Sequence, residues 1–425
     1  MKGSVLTMLE NHPALDAERT GSKELLNRFC LPPEFDYSSY RSVLLVGGRG
    51  CGKTMLLRWL RHKLSGLAVY GDLRKIARPV SMDTGLGGLA WKGISPNNEL
   101  AAAAKTITCL ALWFAKECGK RTIPIPKKTL RMTLPRVLRN SSMSLNDLYE
   151  EFCYTGLEYF TRGPTIEALL DLFHEVHIER PDDGLVLLLD RAEDVPYPSL
   201  TVLLSLLDQS HKFRTILACR PGLINMKSAS SDLSIAGDHY DVIHLGSAPY
   251  STGWQQFQNE ALTSWLPKTM AIIPSEYRFL IANLTRDCFR SALKIAHSST
   301  NKDDQFCEKS LVNATKNIQD NLLGAFQGHV RDYNSDVRRL LREIRRDLND
   351  KFKLPLLIRN EEARQPLLFQ YPLPFGELTR NEQFVYLALR SGFFTTKHGI
   401  QWHPNETYDE FELNPIMIWQ KGDTW

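Results

Sequence analysis

The chain has 425 residues, more than one compact core supports, so its length predicts two or three domains. Its 43% hydrophobic and 24% charged residues are those of an ordinary globular protein. A net charge of +4 is too small to indicate nucleic-acid binding by itself, so local clusters must decide that question.

Cysteine usage indicates the redox state of the compartment, and the length of the apolar runs bears on whether the chain crosses a membrane. The eight cysteines are scattered, without C-x-x-C pairs or histidine pairs at zinc spacing, which favours reduced thiols in a reducing cytoplasm. The N-terminus does not resemble a signal peptide, and the longest aliphatic run, residues 185–189, is too short to span a bilayer. We expect a soluble, cytoplasmic protein without a membrane partner.

Strands alternate with helices after a polar lead-in over residues 1–40. Apolar runs predict strands over residues 42–46, 67–73, 185–189, 213–219 and 241–245. Helical periodicity predicts helices after the first strand and over residues 98–117, 145–159, 165–176 and 199–210. This alternation implies parallel strands in a sheet covered on both faces, and therefore an α/β core over residues 41–250.

The chain changes character after residue 250. Residues 251–355 contain helical patterns alone, which predicts a helical lid. In residues 356–425, Thr379 and Glu382 form a capping box that opens a helix ending at Gly392. Residues 393–402 and 408–418 are typical of a β-hairpin. Because a helix followed by a hairpin is the layout of a winged helix, we predict that domain here.

A phosphate-binding motif lies between the first predicted strand and its helix. The pattern G-x-x-x-x-G-K-T begins at Gly47 and ends at Thr54. Its glycines let backbone N–H groups approach phosphates, Lys53 bridges the β- and γ-phosphates, and the Thr54 hydroxyl ligates Mg²⁺. We therefore predict ATP and Mg²⁺ as cofactors of a P-loop. The predicted nucleotide-binding residues here are Gly47, Gly48, Arg49, Gly50, Cys51, Gly52, Lys53, Thr54 and Met55.

The carboxylate that holds Mg²⁺ through water is expected at the end of a neighbouring buried strand. The run G-L-V-L-L-L-D supplies Asp190 after five aliphatic residues, as a Walker B residue. The alternative is an aspartate that caps the next helix. The predicted metal-binding residues are therefore Thr54 and Asp190, and Asp190 is also a predicted catalytic residue.

Candidates for the hydrolytic step follow two of the predicted strands. Many P-loop ATPases place glutamate directly after the Walker B aspartate, but this chain has Arg191 there. Glu193 or Asp194 polarises water if the turn bends back, and we favour Glu193; otherwise hydrolysis is slow and nucleotide acts as a switch. Arg220, after the strand over residues 213–219, would face the γ-phosphate. Its alternative is a surface arginine before a turn proline.

Three segments together resemble one branch of the P-loop ATPases. G-G-R-G-C-G-K-T, L-V-L-L-L-D-R-A-E-D and T-I-L-A-C-R-P are similar to AAA+ origin-recognition and replication-initiator ATPases, and to the related STAND NTPases. The resemblance implies a homo-oligomer in which Arg286, at the start of a lid helix, contacts nucleotide as a sensor-2 residue. The proline usual before that residue is absent.

The order of elements most resembles bacterial origin-recognition-like ATPases of anti-phage defence loci. That resemblance implies bacterial immune signalling with a partner effector protein. It also makes residues 11–15 similar to the N-P-F-like segment that places a residue near adenine. The long basic insertion near residues 119–144 departs from the family pattern.

Two basic stretches bear on nucleic acid. Residues 119–144 carry seven positive charges and no acid, which suits a phosphate backbone, an acidic partner protein or a plain solvated loop. They lack the interleaved aromatic residues that stack on bases. Residues 331–351 mix arginines with acids at helical spacing, which favours a self-paired solvated face. Nucleic-acid binding thus stays open, through residues 119–144 or the winged helix.

The motifs together predict an ATP-binding and ATP-hydrolysing switch of AAA+ or STAND type. In this prediction nucleotide changes the position of the lid or the oligomeric state. The first alternative is a DNA-binding initiator or transposition-type regulatory ATPase. The second alternative is a scaffold that binds ATP in order to assemble and does not hydrolyse it.

Overall fold

We describe the fold from a computed structural model. The structure describes residues 20–36, 39, 41–64, 66–80, 96–140, 142–178, 184–195, 197–208, 213–220, 240–245, 252–285, 288–301, 305–330, 368–372, 394–396, 408–414 and 416. Within these ranges no helix is both long enough and apolar enough to cross a membrane.

The elements follow the predicted order closely. The strands are β1 Ser42–Gly47, β2 Leu67–Asp72, β3 Leu185–Asp190, β4 Arg214–Cys219, β5 Tyr240–Leu245, β6 Leu368–Pro372, β7 Phe394–Thr396 and β8 Tyr408–Leu413. The helices used below are α1 Ser22–Arg28, α2 Lys53–Lys63, α3 Leu73–Ile76, α4 Pro96–Gly119, α5 Lys127–Met132, α6 Leu145–Tyr154, α7 Ile166–Ile178, α8 Tyr197–Leu207, α9 Thr252–Trp265, α10 Pro267–Ile272, α11 Ser275–Thr285, α12 Phe289–Ser298 and α13 Glu308–Val330.

Five parallel strands form the central sheet in the order β2-β3-β4-β1-β5. Strand β1 pairs with β4 on one side, from Val43 opposite Ile216, and with β5 on the other. Because all strands run the same way, their carboxyl ends meet at one edge, where ligands of open α/β sheets bind. Asp72 and Asp190 are register partners at this edge.

Both faces of the sheet are buried, as the alternation of strands and helices predicts. Leu44 and Val46 of β1 belong to a core that includes residues of α4, α7 and α8. Val43 and Leu45, which point to the opposite face, belong to a second core with residues of α1 and α2. The prediction of an α/β fold with a covered parallel sheet is therefore confirmed.

The described part of the N-terminal lead-in belongs to this second core. Leu25 of α1 and Phe35 are buried there. The Arg28 side chain donates to the Trp265 carbonyl at 3.4 Å, and the Ser264 hydroxyl donates to the Arg28 carbonyl at 2.9 Å. Residues 20–36 thus connect the sheet to α9 and are more than a polar leader.

Helices α9 to α13 enclose a separate hydrophobic core. They lie within residues 251–355, where the sequence predicts a helical lid, and we refer to these helices as the lid. Their action as a lid stays a prediction. Met55, at the start of α2, packs against this core and against the core beneath the sheet. Ile416 is buried in the lid, and its carbonyl accepts a hydrogen bond from the Gln319 side chain at 2.5 Å. The chain beyond β8 therefore returns to the lid.

The basic segment and the residues after it form an insertion between β2 and β3. It contains α5 and two 3-10 turns, Arg136–Leu138 and Leu157–Phe160. Residues 119–144 therefore do not form one long helix. The helix predicted over residues 145–159 ends earlier, at Tyr154, because Thr155 is extended and Gly156 follows it.

The C-terminal strands form a small antiparallel sheet in the order β6-β8-β7. The two segments of the predicted hairpin pair as β7 and β8, with Phe394 opposite Leu413. Strand β6, which the sequence did not predict, pairs with the other edge of β8. The helix predicted over residues 379–392 and the arginine-rich residues 331–351 lie outside the described residues, so the winged helix stays a prediction.

Candidate functional site

The P-loop lies at the carboxyl edge of the sheet, between β1 and α2. Gly50 and Gly52 have φ values of 90° and 101°, a left-handed conformation that favours glycine. Gly52 is the N-cap of α2, and no side chain caps this end of the helix. The first backbone N–H groups of α2 therefore remain available to an anion, which the partial positive charge of a helix N-terminus also attracts.

Lys53 is buried beneath the loop. Its ammonium donates to the carbonyls of Gly47 at 2.6 Å and Gly48 at 2.9 Å. Burial acts to lower the pKa of Lys53, but the Cys51 thiol and the carboxylates of the site outweigh burial and raise it. The ammonium is therefore held charged, next to the loop that would wrap a phosphate.

Thr54 and Asp190 meet across the sheet edge. The Thr54 hydroxyl donates to Asp190 Oδ2 at 2.6 Å, and the Tyr70 hydroxyl donates to the same oxygen at 3.2 Å. Asp190 is only 1% exposed, and burial raises the pKa of its carboxyl. Burial and Asp190 also raise the pKa of Tyr70, which keeps the phenol a hydrogen-bond donor.

The chain turns sharply after β3. Arg191 has a φ of 67°, unusual for a residue with a side chain, and the 3-10 turn Ala192–Asp194 follows. This turn buries Glu193, which is 4% exposed. Its Oε1 accepts from Arg220 Nε at 2.8 Å, whereas its Oε2 has no hydrogen-bond partner among the described residues. A buried carboxylate oxygen without a partner is costly and suggests a site for water or ligand.

Arg191, which follows Asp190 directly, makes an ion pair with Asp72. Its Nε lies 3.9 Å from Asp72 Oδ2, at the end of the neighbouring strand. Asp72 also accepts from the Arg74 backbone N–H at 3.0 Å and caps α3. Asp72 is thus an anchor for the Arg191 side chain.

Arginines converge on the P-loop. Burial lowers the pKa of Arg49, and the positive charges of Arg220 and Arg290 lower it further. Arg191 acts on Arg49 in the same direction. Because these positive charges act unfavourably on Arg49, the arrangement favours binding of a multiply charged anion.

The lid touches the P-loop directly. The Arg290 backbone N–H donates to the Gly50 carbonyl at 3.1 Å, and the Cys288 thiol donates to the Arg49 carbonyl at 3.1 Å. A Cβ on Gly50 would lie 2.9 Å from Cys288 Sγ and 3.0 Å from Arg290 Cβ. The P-loop therefore needs glycine at this position both for its backbone conformation and for the approach of α12.

The structure brings together most of the residues that the sequence singled out. Lys53, Thr54 and Asp190 share one site, and Arg220 pairs with Glu193 there instead of lying on the surface. Arg286 and residues 11–15 lie outside the described residues, so their roles stay predictions.

Sequence reasoning missed Tyr70, Asp72 and Arg290. Tyr70 and Asp72 carry no motif, and their position depends on β2 lying next to β3 in the sheet. Arg290 is four residues beyond the arginine that was predicted, in the same segment, and a search for every arginine near the start of a lid helix would have included it.

Comparison with known proteins agrees with this site. Residues 14–71, which include β1, the P-loop, α2 and most of β2, match the family model described as ORC-CDC6-like. A search of curated proteins found no match to the chain. The match supports a relationship between this segment and the ORC/CDC6-like AAA+ ATPases.

Proposed function

We propose that the chain binds ATP with Mg²⁺ at the P-loop and hydrolyses it slowly, as a switch that controls lid position and assembly of a homo-oligomer. The observation that carries this proposal is the 2.6 Å hydrogen bond between Thr54 and Asp190, which joins two motifs 136 residues apart. Such a meeting of hydroxyl and carboxylate beside a buried lysine is the arrangement that P-loop ATPases use.

The donors at this point fit Mg²⁺. Thr54 and Asp190 both offer oxygen, the ligand atom that Mg²⁺ prefers, and they are adjacent. When bound, the ion neutralises charge on the β- and γ-phosphate oxygens. Lys53 and the backbone N–H groups at the start of α2 would hold the same phosphates.

Glu193 is the residue that we propose for orienting the attacking water. It is buried beside Lys53, its charge acts on that lysine, and its Oε2 is free to accept a hydrogen bond from water. Its Oε1 is engaged by Arg220, which would also contact the γ-phosphate. Arg220 is thus shared between the Glu193 carboxylate and the γ-phosphate. In addition, Arg191 occupies the sequence position at which many P-loop ATPases have glutamate. Both features support slow hydrolysis.

Arg290 and Arg220 would couple the γ-phosphate to the lid. Arg290 lies on α12, whose backbone already contacts Gly50, so a phosphate that attracts its guanidinium also moves or fixes this helix. Arg286 is proposed for the same contact from its place two residues before Cys288 in the sequence.

ATP turnover by the purified protein separates the switch from a non-hydrolysing scaffold. We expect slow release of phosphate from ATP that is lost in Asp190→Ala, because the variant removes the carboxylate that positions the metal. Nucleotide binding with no turnover in the wild-type protein would favour the scaffold. Turnover that persists unchanged in Asp190→Ala would contradict the proposed site.

A DNA-binding initiator is a second candidate. The ORC-CDC6-like match over residues 14–71 and the antiparallel pairing of β7 with β8 support it. Binding to duplex DNA, with an affinity that falls steeply as salt rises, is the expected behaviour because phosphate contacts release counterions. No detectable binding to a duplex at low salt would remove this candidate.

We also propose a role in bacterial anti-phage defence with a partner effector protein in the cytoplasm, and the resemblance of the three sequence segments is its support. The test compares phage plating on bacteria that carry the intact locus with plating on bacteria in which the chain bears Lys53→Ala. Protection that requires Lys53 is expected, and equal plating on both strains would contradict this role.

A further inference from the structure

The insertion between β2 and β3 sorts its charges by sign along the chain. Residues 119–144 have seven basic residues and no acid, and residues 145–161 have four acids and no basic residue. Adjacent stretches of opposite charge would ordinarily neutralise each other within one molecule. Whether they do so here depends on how the fold places them.

Four cations of the first stretch are exposed and make no ion pair in the described part of the chain. Lys120 pairs with Glu117, Arg121 donates to the Ala68 carbonyl, and Arg139 donates to the Leu134 carbonyl. The remaining four make no ion pair among the described residues, and we call them the basic face: Lys127, Lys128, Arg131 and Arg136.

Three carboxylates of the second stretch are exposed in the same way. Asp147 accepts from Ser144 at the start of α6. The other three make no ion pair with any described residue, and we call them the acidic face: Glu150, Glu151 and Glu158.

Both faces lie on segments that pack against α4. The segment after α5 meets this helix at Thr108, whose hydroxyl donates to the Thr133 carbonyl at 2.7 Å. The segment that carries the acidic face meets it at Lys105, whose ammonium donates to the Thr155 carbonyl at 2.7 Å, and at Lys116, 6.0 Å from the Tyr149 ring centre. These contact points lie within about 80° of one another and therefore on one side of α4. The two faces nevertheless make no ion pair with each other in the described part of the chain.

Apolar side chains accompany both faces. Of the nine large hydrophobic residues that are exposed in the described part of the chain, six lie in residues 132–159. Met132 and Val137 adjoin the basic face, and Tyr154, which is 90% exposed, and Tyr159 adjoin the acidic face. Exposed Met and Tyr are residues that protein interfaces favour, whereas apolar side chains add little to the binding of a phosphate backbone.

We propose that the basic face of one molecule binds the acidic face of a second copy of this chain. A second copy is the partner that complements both faces at once, since each molecule presents one face of each sign. A contact between one basic and one acidic face closes as a two-fold dimer when it is made twice between the same two molecules, and it builds a ring or a filament when it is made once. This contact would form an interface of the homo-oligomer proposed above, but the contact itself does not depend on nucleotide binding.

Sedimentation velocity with charge-reversed variants tests this contact. The wild-type protein should associate at low salt and dissociate as salt rises, because exposed charges are screened. Lys127→Glu/Lys128→Glu and Glu150→Lys/Glu151→Lys should each weaken association by roughly tenfold or more. An equimolar mixture of the two variants should associate again, because their altered faces are complementary.

A matched control places the same change of charge elsewhere. Lys268→Glu/Lys316→Glu alters two exposed lysines of the lid and should associate like the wild type. ATP binding by every variant shows that it is folded and separates failure of this contact from failure of the proposed function. A monomeric wild type at low salt, or association unaffected by both reversals, overturns the proposal. The proposal is also overturned if a basic-face variant no longer binds duplex DNA but sediments like the wild type.

Discussion

The edge of the sheet at the P-loop and the insertion over residues 119–161 both concentrate charge, in opposite ways. At the P-loop, Lys53, Asp190 and Glu193 are almost fully buried, and each touches a carbonyl, a hydroxyl or an ion of opposite sign. In the insertion the basic and acidic faces are exposed and make no ion pair with each other among the described residues. Because charge interactions strengthen as water is excluded, single substitutions should matter far more at the first site than at the second.

Removal of the Glu193 charge should have the largest effect on turnover. Glu193→Gln keeps the size of the side chain but cannot accept a proton from water, so ATP turnover should fall by about 10²–10⁴-fold. ATP affinity should change little, because Glu193 is not proposed to hold the phosphates. Phosphate release and calorimetry measure the two quantities. Turnover equal to that of the wild type would exclude Glu193 as the residue that orients water.

Asp190→Asn should abolish the effect of Mg²⁺ on nucleotide binding. Burial raises the pKa of the Asp190 carboxyl above its ordinary value of 3.8, so the folded state holds this proton more tightly than the unfolded state. Stability is therefore lost as pH rises through the raised pKa. Asparagine removes this cost, so the nucleotide-free variant should be more stable than the wild type at pH 7.

Two titrations check this pair of effects. Fluorescent-nucleotide binding with and without Mg²⁺ measures the metal effect, and urea unfolding measures stability. In the wild type, the Mg²⁺ effect should weaken on acidification at a pH above that at which an exposed aspartate titrates. A variant that is less stable and still responds to Mg²⁺ would contradict the assignment of Asp190.

Tyr70→Phe should weaken the Mg²⁺ dependence without abolishing it. The Tyr70 hydroxyl donates to the same Asp190 oxygen as Thr54 does, and residues that orient a metal ligand typically contribute about 10–100-fold in metal affinity. We expect an effect near the lower value, because Thr54 still fixes the carboxylate. The measurement is the Mg²⁺ concentration at half-maximal nucleotide binding, and an unchanged value would leave Tyr70 without this role.

Lys127→Ala should have the smallest effect on the free energy of unfolding. The side chain is exposed and makes no ion pair in the described part of the chain, so the change should stay within about 0.5 kcal/mol. Urea unfolding measures this change in the free energy of unfolding. The protein concentration must be too low for association, so that the contact between molecules does not contribute. A loss several times larger would show that the basic face stabilises the fold, and the contrast with the P-loop edge would weaken.

The same contrast explains how much could be predicted from the sequence. Lys53, Thr54 and Asp190 carry local patterns, a glycine-rich loop and an aliphatic run ending in an acid, so each is visible without knowledge of the fold. The alternation of strands and helices likewise predicts the parallel sheet. Tyr70 was not predictable, because its contact with Asp190 depends on β2 pairing with β3 across a long insertion.

Contacts that close the site were also beyond the sequence. The ion pair of Glu193 with Arg220 requires both the left-handed conformation of Arg191 and the neighbouring placement of β3 and β4. The approach of Arg290 to Gly50 depends on how the lid packs on the sheet. Strand β6 was missed because its five residues pair with a segment about forty positions away, and no turn signal joins them.

Calorimetric titration of ATP with Mg²⁺ into the wild-type protein and into Lys53→Ala tests the central claim most directly. Alanine leaves the carbonyls of Gly47 and Gly48 without their ammonium and removes the buried positive charge beneath the loop. We predict saturable binding of one ATP per chain in the wild type and no measurable binding in the variant. Equal ATP affinity in the two proteins would contradict the account of the P-loop as the nucleotide site.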